Sequence, residues 1–312
     1  MISLKAPSPM PYDFIGDIHG HADELELLLR RMDYRPDGDG YRHPSRQAFF
    51  VGDFIDRGPE SPKVLRIVRD MVERGAARAV MGNHEYNAIL FNTPRADGEG
   101  YLRPHSPKNL RQHGTTLEQF ADRRSEYDDY IRWFRTLPLY YEEKDFRIVH
   151  ACWNPLSIGL LREELTDDRL PDPIPQELEA LETPLAQAID RVLKGPEFDL
   201  PGGKTFLDKD GNPRGALRHK WWKDPRGATY GDLSVHGTDP ELESLLYTGE
   251  ETDYYGVTEK HVFFGHYWLR GTPLLFRHNV CCLDYSVARD GALVAYRFDG
   301  EEELTVDKLV AV

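Results

Sequence analysis

Apolar residues along the chain follow two alternating periods. Short runs at 12–16 (YDFIG), 48–51 (AFFV), 77–81 (ARAVM) and 146–149 (FRIV) read as buried strands, and the segments between them carry helical spacing. Residues 21–32 place Leu25, Leu28, Leu29 and Met32 on one face and Asp23, Glu24 and Glu26 on the other. Ser61 and Pro62 make a helix start, because serine can cap and proline is tolerated in a first turn. Val64, Leu65, Ile67, Val68, Met71 and Val72 then form a stripe that ends near Gly75, and a charged helical stretch spans 117–134. Strand patterns return at 261–264, 279–283 and 292–298. This alternation predicts an α/β fold with a layered sheet core that closes only at its C-terminal strands.

Between 154 and 259 the pattern weakens into Pro-, Gly- and charge-rich sequence with one expected helix near 175–194. The expectation is a single domain over 1–312 with 154–259 as an inserted cap or specificity region. A chain of 312 residues can bury a sizeable core, and no apolar run is long enough for a membrane span or a signal peptide, so a cytoplasmic protein without membrane contact is expected. Cys152, Cys281 and Cys282 read as reduced core residues. With 39 basic and 53 acidic side chains and a formal charge of -14, coating of a nucleic-acid backbone is not expected. A small phosphate substrate stays compatible, since bound cations or a few arginines can reverse the field locally.

The chemistry lies at the strand ends: GDIHG at 16–20, GDFIDRG at 52–58, GNHE at 82–85, VHAC at 149–152 and GHY at 265–267. In open α/β sheets ligands gather beyond the carboxyl ends of strands, so Asp17, His19, Asp53, Asn83, His150 and His266 can converge. Carboxylate, amide and imidazole donors together suit a borderline divalent metal such as manganese, iron or zinc. Singly, each has a plainer reading. Asp17 could cap the following helix, Asp56 and Arg57 could be a surface ion pair, Asn83-His84-Glu85 could open a helix, and His150 could be a core histidine. Their joint occurrence in order outweighs those readings.

The ordered series resembles the calcineurin-like metallophosphoesterases of the phosphoprotein-phosphatase type, over 12–91, 146–153 and 261–298, including the tail LDYSVARDGALVAY. The resemblance implies a four-layer α-β-β-α sandwich, here with a helical and irregular insertion, and two divalent ions, manganese first with iron or zinc as alternatives. It implies that Asp17 and His19 hold one ion, that Asn83, His150 and His266 hold the other, and that Asp53 bridges them. A hydroxide shared by two cations would then attack phosphorus. His84 would protonate the departing oxygen, Asp56 would orient that imidazole, and Arg57 would clamp phosphate oxygens. A second phosphate-binding arginine is expected from the middle region, with Arg226 preferred over Arg218 and Arg214. Cys152 is set aside as a nucleophile. Trp221-Trp222 and Tyr254-Tyr255 fit either base stacking or core packing.

Two departures from the protein phosphatases bear on the substrate. Met81 stands where they carry arginine, and His150-Ala151-Cys152 stands where they carry HGG, nearer to the HAG of symmetrical dinucleoside-tetraphosphate hydrolases. The expected activity is therefore metal-dependent hydrolysis of phosphoester or phosphoanhydride bonds in small nucleotide-like substrates such as dinucleoside polyphosphates. The alternatives are a Ser/Thr phosphoprotein phosphatase and, from another class, a non-catalytic metal- or phosphate-binding module.

Overall fold

In the computed structural model, which describes residues 10–178, 180–201, 205–207, 213–237, 240–249 and 254–312, the chain opens with β1 (Tyr12–Ile15) and α1 (Ala22–Arg31). A hairpin of β2 (Arg35–Asp37) and β3 (Gly40–Arg42) leads to β4 (Gln47–Phe50), α2 (Ser61–Glu73) and β5 (Ala77–Ala79). Helices α3 (Asn83–Asn92), α4 (Pro107–Gln119) and α5 (Arg124–Phe134) follow, then β6 (Tyr140–Glu142) and β7 (Phe146–Val149). The middle region holds α6 (Pro155–Glu164), α7 (Pro184–Lys194), β8 (Glu197–Asp199), β9 (Phe206–Leu207) and β10 (Pro213–Arg214). It continues with β11 (Ala216–Arg218), α8 (Tyr230–Leu233) and α9 (Pro240–Glu243). Strands β12 (His261–Phe264), β13 (Val280–Cys282), β14 (Asp284–Tyr285), β15 (Ala292–Phe298) and β16 (Leu309–Ala311) complete it.

Two sheets result. In the first, β1, β4 and β5 run parallel, and β15 lies antiparallel to β1 with β14 and β16 beside it. In the second, β12 runs parallel to both β7 and β13, and β6 pairs antiparallel with β7. Because side chains alternate along a strand, Phe14, Phe49, Ile148, Phe263 and Tyr296 fill one core cluster while Ile15, Phe50, Val149, Val262 and Phe264 belong to another. The first cluster joins the two sheets, with the Phe14 and Phe263 rings stacked at 3.8 Å between centroids. The second includes Leu25 and Leu29 of α1, Val64 and Val68 of α2, Ile158 and Leu161 of α6, and Ile189 and Val192 of α7. These are the four layers of an α-β-β-α sandwich. Each such side chain, fully buried, contributes roughly 1.5–3 kcal/mol.

The structure refines several expected elements. The stretch at 117–134 breaks between α4 and α5, where Arg123 N–H returns to the Phe120 carbonyl at 2.9 Å and Phe120 turns inward. The helix expected at 175–194 starts only at Pro184, since Thr183 Oγ1 accepts from Ala186 N–H at 3.2 Å and caps it. Helices α6 and α7 pack on each other, and the Ala151 N–H donates to the Val192 carbonyl at 3.0 Å, which ties α7 to the end of β7. Residues 198–242 carry a small cluster of their own: Phe198, Leu200, Leu217, Ala228, Tyr230, Leu233 and Leu242. The β2–β3 hairpin was not foreshadowed, because RPD and GYR carry no apolar alternation. All three cysteines are buried and outside any disulfide. Among the described residues, no helix is long and apolar enough to cross a membrane.

Candidate active site

Parallel strands within each sheet deliver the loops after β1, β4 and β5, and those after β7 and β12, at common edges. The turns there are sharp. His19, Asp53, Asp56, Arg57 and His266 have φ of 47, 55, 70, 71 and 73°, a left-handed region that side chains other than glycine seldom occupy. Backbone bonds hold these turns, with the Ile18 and His19 N–H groups both donating to the Asp53 carbonyl at 3.0 and 2.9 Å. Buried Glu85 adds a second tie, accepting from Asp53 N–H at 2.8 Å, Phe54 N–H at 2.8 Å and Gly82 N–H at 3.0 Å. Its carboxylate joins the loop after β4 to the start of α3. Burial and the Asp53 charge push its pKa up to about 7.

Asp17, His19, Asp53, Asn83, His150 and His266 are all buried and lie in one cluster. The His19 Nδ1–H donates to the Ile55 carbonyl at 2.9 Å and the His150 Nδ1–H to the Val51 carbonyl at 2.9 Å. Each Nε2 is therefore left as a lone pair. Those lone pairs face Asp53 Oδ2 at 3.6 and 3.4 Å, and His150 Nε2 is 3.0 Å from Asn83 Oδ1. Acceptor facing acceptor in a buried site is the arrangement a cation completes. Asp17 Oδ1, His19 Nε2 and His266 Nε2 are buried without a hydrogen-bond partner, which supports the same fit.

Two sets of donors lie within metal-binding reach, one of His19, Asp53 and His84 and the other of Asp17, Asp53 and His150, with Asp53 common to both. His266 Nδ1 adds a contact to Asn83 Oδ1 at 2.8 Å, and its N–H donates to Asp17 Oδ2 at 2.9 Å. Burial holds His19 down to about 3 and His266 well below the usual imidazole range, so both are neutral, as ligands must be. Burial likewise raises Asp17, helped by the Asp284 and Asp53 charges. For Asp53 burial works upward, yet its interactions with the His150 and His84 imidazoles outweigh it and hold the carboxyl well below the usual carboxylate range.

A glycine makes this packing feasible. A Cβ on Gly265 would lie 1.8 Å from Asp17 Oδ1, so Gly265→Ala must displace that carboxylate. We expect the variant to bind Mn²⁺ about 10- to 100-fold more weakly than wild type, read by titrating chelator-stripped protein.

Beside the cluster runs a chain of buried hydrogen bonds. Asp56 turns inward, meeting His84 Nδ1 through Oδ2 at 2.5 Å, and through Oδ1 accepting from Thr116 Oγ1 at 2.7 Å and His113 Nδ1 at 2.7 Å. His113 Nε2 in turn meets the Tyr127 hydroxyl at 2.7 Å. Burial lowers the His84 pKa, but the charges of Asp53 and Asp56 outweigh it and raise it overall. Only Nε2 of His84 remains available. Asp56 and Arg57 are thus not a surface pair: Arg57 points outward, with its guanidinium carbon 4.0 Å from the Trp268 ring centroid. Trp268 is held by its own N–H on Asp284 Oδ2 at 2.7 Å.

A polar cavity of about 120 Å³ opens here, lined by Arg57, His84, Arg103, His113, Arg218 and Trp268 among others. Arg218 NH1 donates to the His266 carbonyl at 3.1 Å, so the middle region does bring an arginine to the site. It is not Arg226. That side chain is 83 % exposed and its fork is taken by Asp224, two residues earlier. The Arg214 side chain lies outside the described residues. Trp221 and Trp222 are buried against Phe264, which leaves them to core packing. Sequence reasoning did not single out Glu85, His113, Trp268 or Arg103 for the site. A strand-end carboxylate inside GNHE was the one local signal, for Glu85.

The sequence model of the family described as calcineurin-like phosphoesterase matches residues 10–267. An asymmetrical bis(5'-nucleosyl)-tetraphosphatase, PrpE of Bacillus velezensis, is 34% identical over 158 residues, which is 48% of this chain and 59% of the relative. A symmetrical bis(5'-nucleosyl)-tetraphosphatase of Ralstonia nicotianae is 29% identical over 308 residues, 92% of this chain and 89% of the relative. The chain therefore spans about three fifths of the first of these relatives and nearly all of the second.

Proposed function

The chain belongs to the calcineurin-like phosphoesterases, and from that premise we propose that it hydrolyses phosphoanhydride or phosphoester bonds in small nucleotides, with dinucleoside tetraphosphates as the favoured substrates. The observation that carries the reading is a pair of metal-capable donor sets sharing Asp53, one of them including His84, whose imidazole is paired with buried Asp56. Asp17, His19, Asp53, Asn83, His150 and His266 would hold two divalent ions, manganese first, and when bound these supply an activated water and positive charge against the phosphate. The other groups act on the substrate directly. Arg57, steadied on Trp268, and Arg218, fixed to the His266 carbonyl, present guanidinium forks to the phosphate oxygens. His84 carries a proton at Nε2 for the departing oxygen, and Asp56 keeps Nδ1 engaged so that the ring holds its orientation.

On this reading 154–259 has two parts: α6 and α7 serve the outer layer, and the segment with its own small core is the specificity element that supplies Arg218. Buried cysteines outside any disulfide accord with a cytoplasmic enzyme. The names of the relatives favour the nucleotide substrate over a phosphoprotein. Manganese-loaded protein is expected to turn over diadenosine tetraphosphate at least about 100-fold more efficiently in kcat/KM than phosphoserine peptides. The reverse preference would make the protein a phosphoprotein phosphatase.

A further inference from the structure

The cavity continues past His84, and its far wall carries a cation without a role in the mechanism above. Asn83, His84, Asn87, Ala88 and Phe91 share the lining along α3, so the cavity wall runs one helical turn beyond His84 to Asn87 and Ala88 and about two turns, roughly 10 Å, to Phe91. There Arg103 is half-buried. Its NH1 donates to Asn87 Oδ1 at 3.1 Å and its NH2 to Gln112 Oε1 at 2.7 Å. Both partners are neutral amides. They fix the plane of the guanidinium without cancelling its charge, and three of its five N–H groups are left over. Asp56, whose charge acts on it, is already engaged by His84, His113 and Thr116. Burial lowers the Arg103 pKa against the pull of Asp56, so holding the charge there costs free energy that an anionic guest would offset.

We infer that Arg103, braced by Asn87 and Gln112, is an anion subsite for the phosphate adjacent to the one being cleaved, on the leaving-group side of His84. The inference rests on the nucleotide reading, because a phosphate monoester has no second phosphate to place there. Arg57 and Arg218 face the phosphorus under attack, while Arg103 takes the charge of the departing phosphate as the bridging oxygen receives its proton from His84.

The test compares wild type, Arg103→Met and Arg103→Lys, all manganese-loaded, on diadenosine tetraphosphate and on p-nitrophenyl phosphate. The ratio of the two kcat/KM values is expected to fall by about tenfold or more in Arg103→Met and to recover in part in Arg103→Lys. The aryl phosphate arm reports that each variant is folded. An unchanged ratio would overturn the subsite. A wild type that cleaves only the aryl phosphate would sink the substrate reading instead, and the subsite is then decided by calorimetric titration in chelator with inorganic tripolyphosphate and orthophosphate. A tighter tripolyphosphate binding that Arg103→Met abolishes supports it; equal preference in wild type and variant rejects it.

Discussion

Asp53→Asn is expected to lower kcat/KM on any phosphorylated substrate by on the order of 10³ or more, about 4 kcal/mol of transition-state stabilisation. The size follows from position. Asp53 Oδ2 lies 3.6 Å from His19 Nε2 and 3.4 Å from His150 Nε2, so one carboxylate serves both donor sets. Its other oxygen accepts from His84 N–H at 2.9 Å, fixing the start of α3. An asparagine keeps the shape but removes the negative charge and turns an NH₂ toward one of these groups. Steady-state kinetics at saturating Mn²⁺ read the effect, and a variant within tenfold of wild type would remove the shared-ligand claim.

His84→Asn should cost about 10²- to 10⁴-fold through loss of the proton donor. Its signature is selective. Substrates with poor leaving groups, such as alkyl phosphates, should suffer most, and p-nitrophenyl phosphate least, since nitrophenolate departs without a proton. Although His84 stands within reach of one donor set, metal content should stay at the wild-type level, because its Nδ1 is taken by Asp56 and its Nε2 lies 3.9 Å from Asp53 Oδ2, farther than His19 or His150. An equal loss on both kinds of leaving group, with metal retained, would move His84 from proton donor to a purely positioning role.

Much of the site was legible because its residues obey a topological rule. Parallel strands end at a common edge, so Asp17, Asp53, His150 and His266 could be gathered from the termini of apolar runs alone. The helices α1 and α2 were legible from their buried stripes, whereas the four-layer sandwich followed from the resemblance of the ordered motifs and not from the apolar pattern. What stayed hidden depends on contacts between distant elements. His113 reaches Asp56 from 57 residues away on α4, whose buried residues are only His113 and Thr116. Arg103 sits in a loop with no strand before it, and its bracing amides lie on two different helices. Arg226, in the stretch WKDPRG, was preferred, yet Asp224 lies two residues away and captures the guanidinium locally. That pair was readable from the sequence as a competitor for the arginine.

The twin donor sets are the centre of the account, and metal stoichiometry tests them most directly. Protein stripped with chelator, reconstituted with Mn²⁺ and desalted should retain two ions per chain by elemental analysis, and Asp53→Asn should retain at most one. One ion or none in the wild type, with hydrolysis at full rate, would contradict a shared dinuclear site.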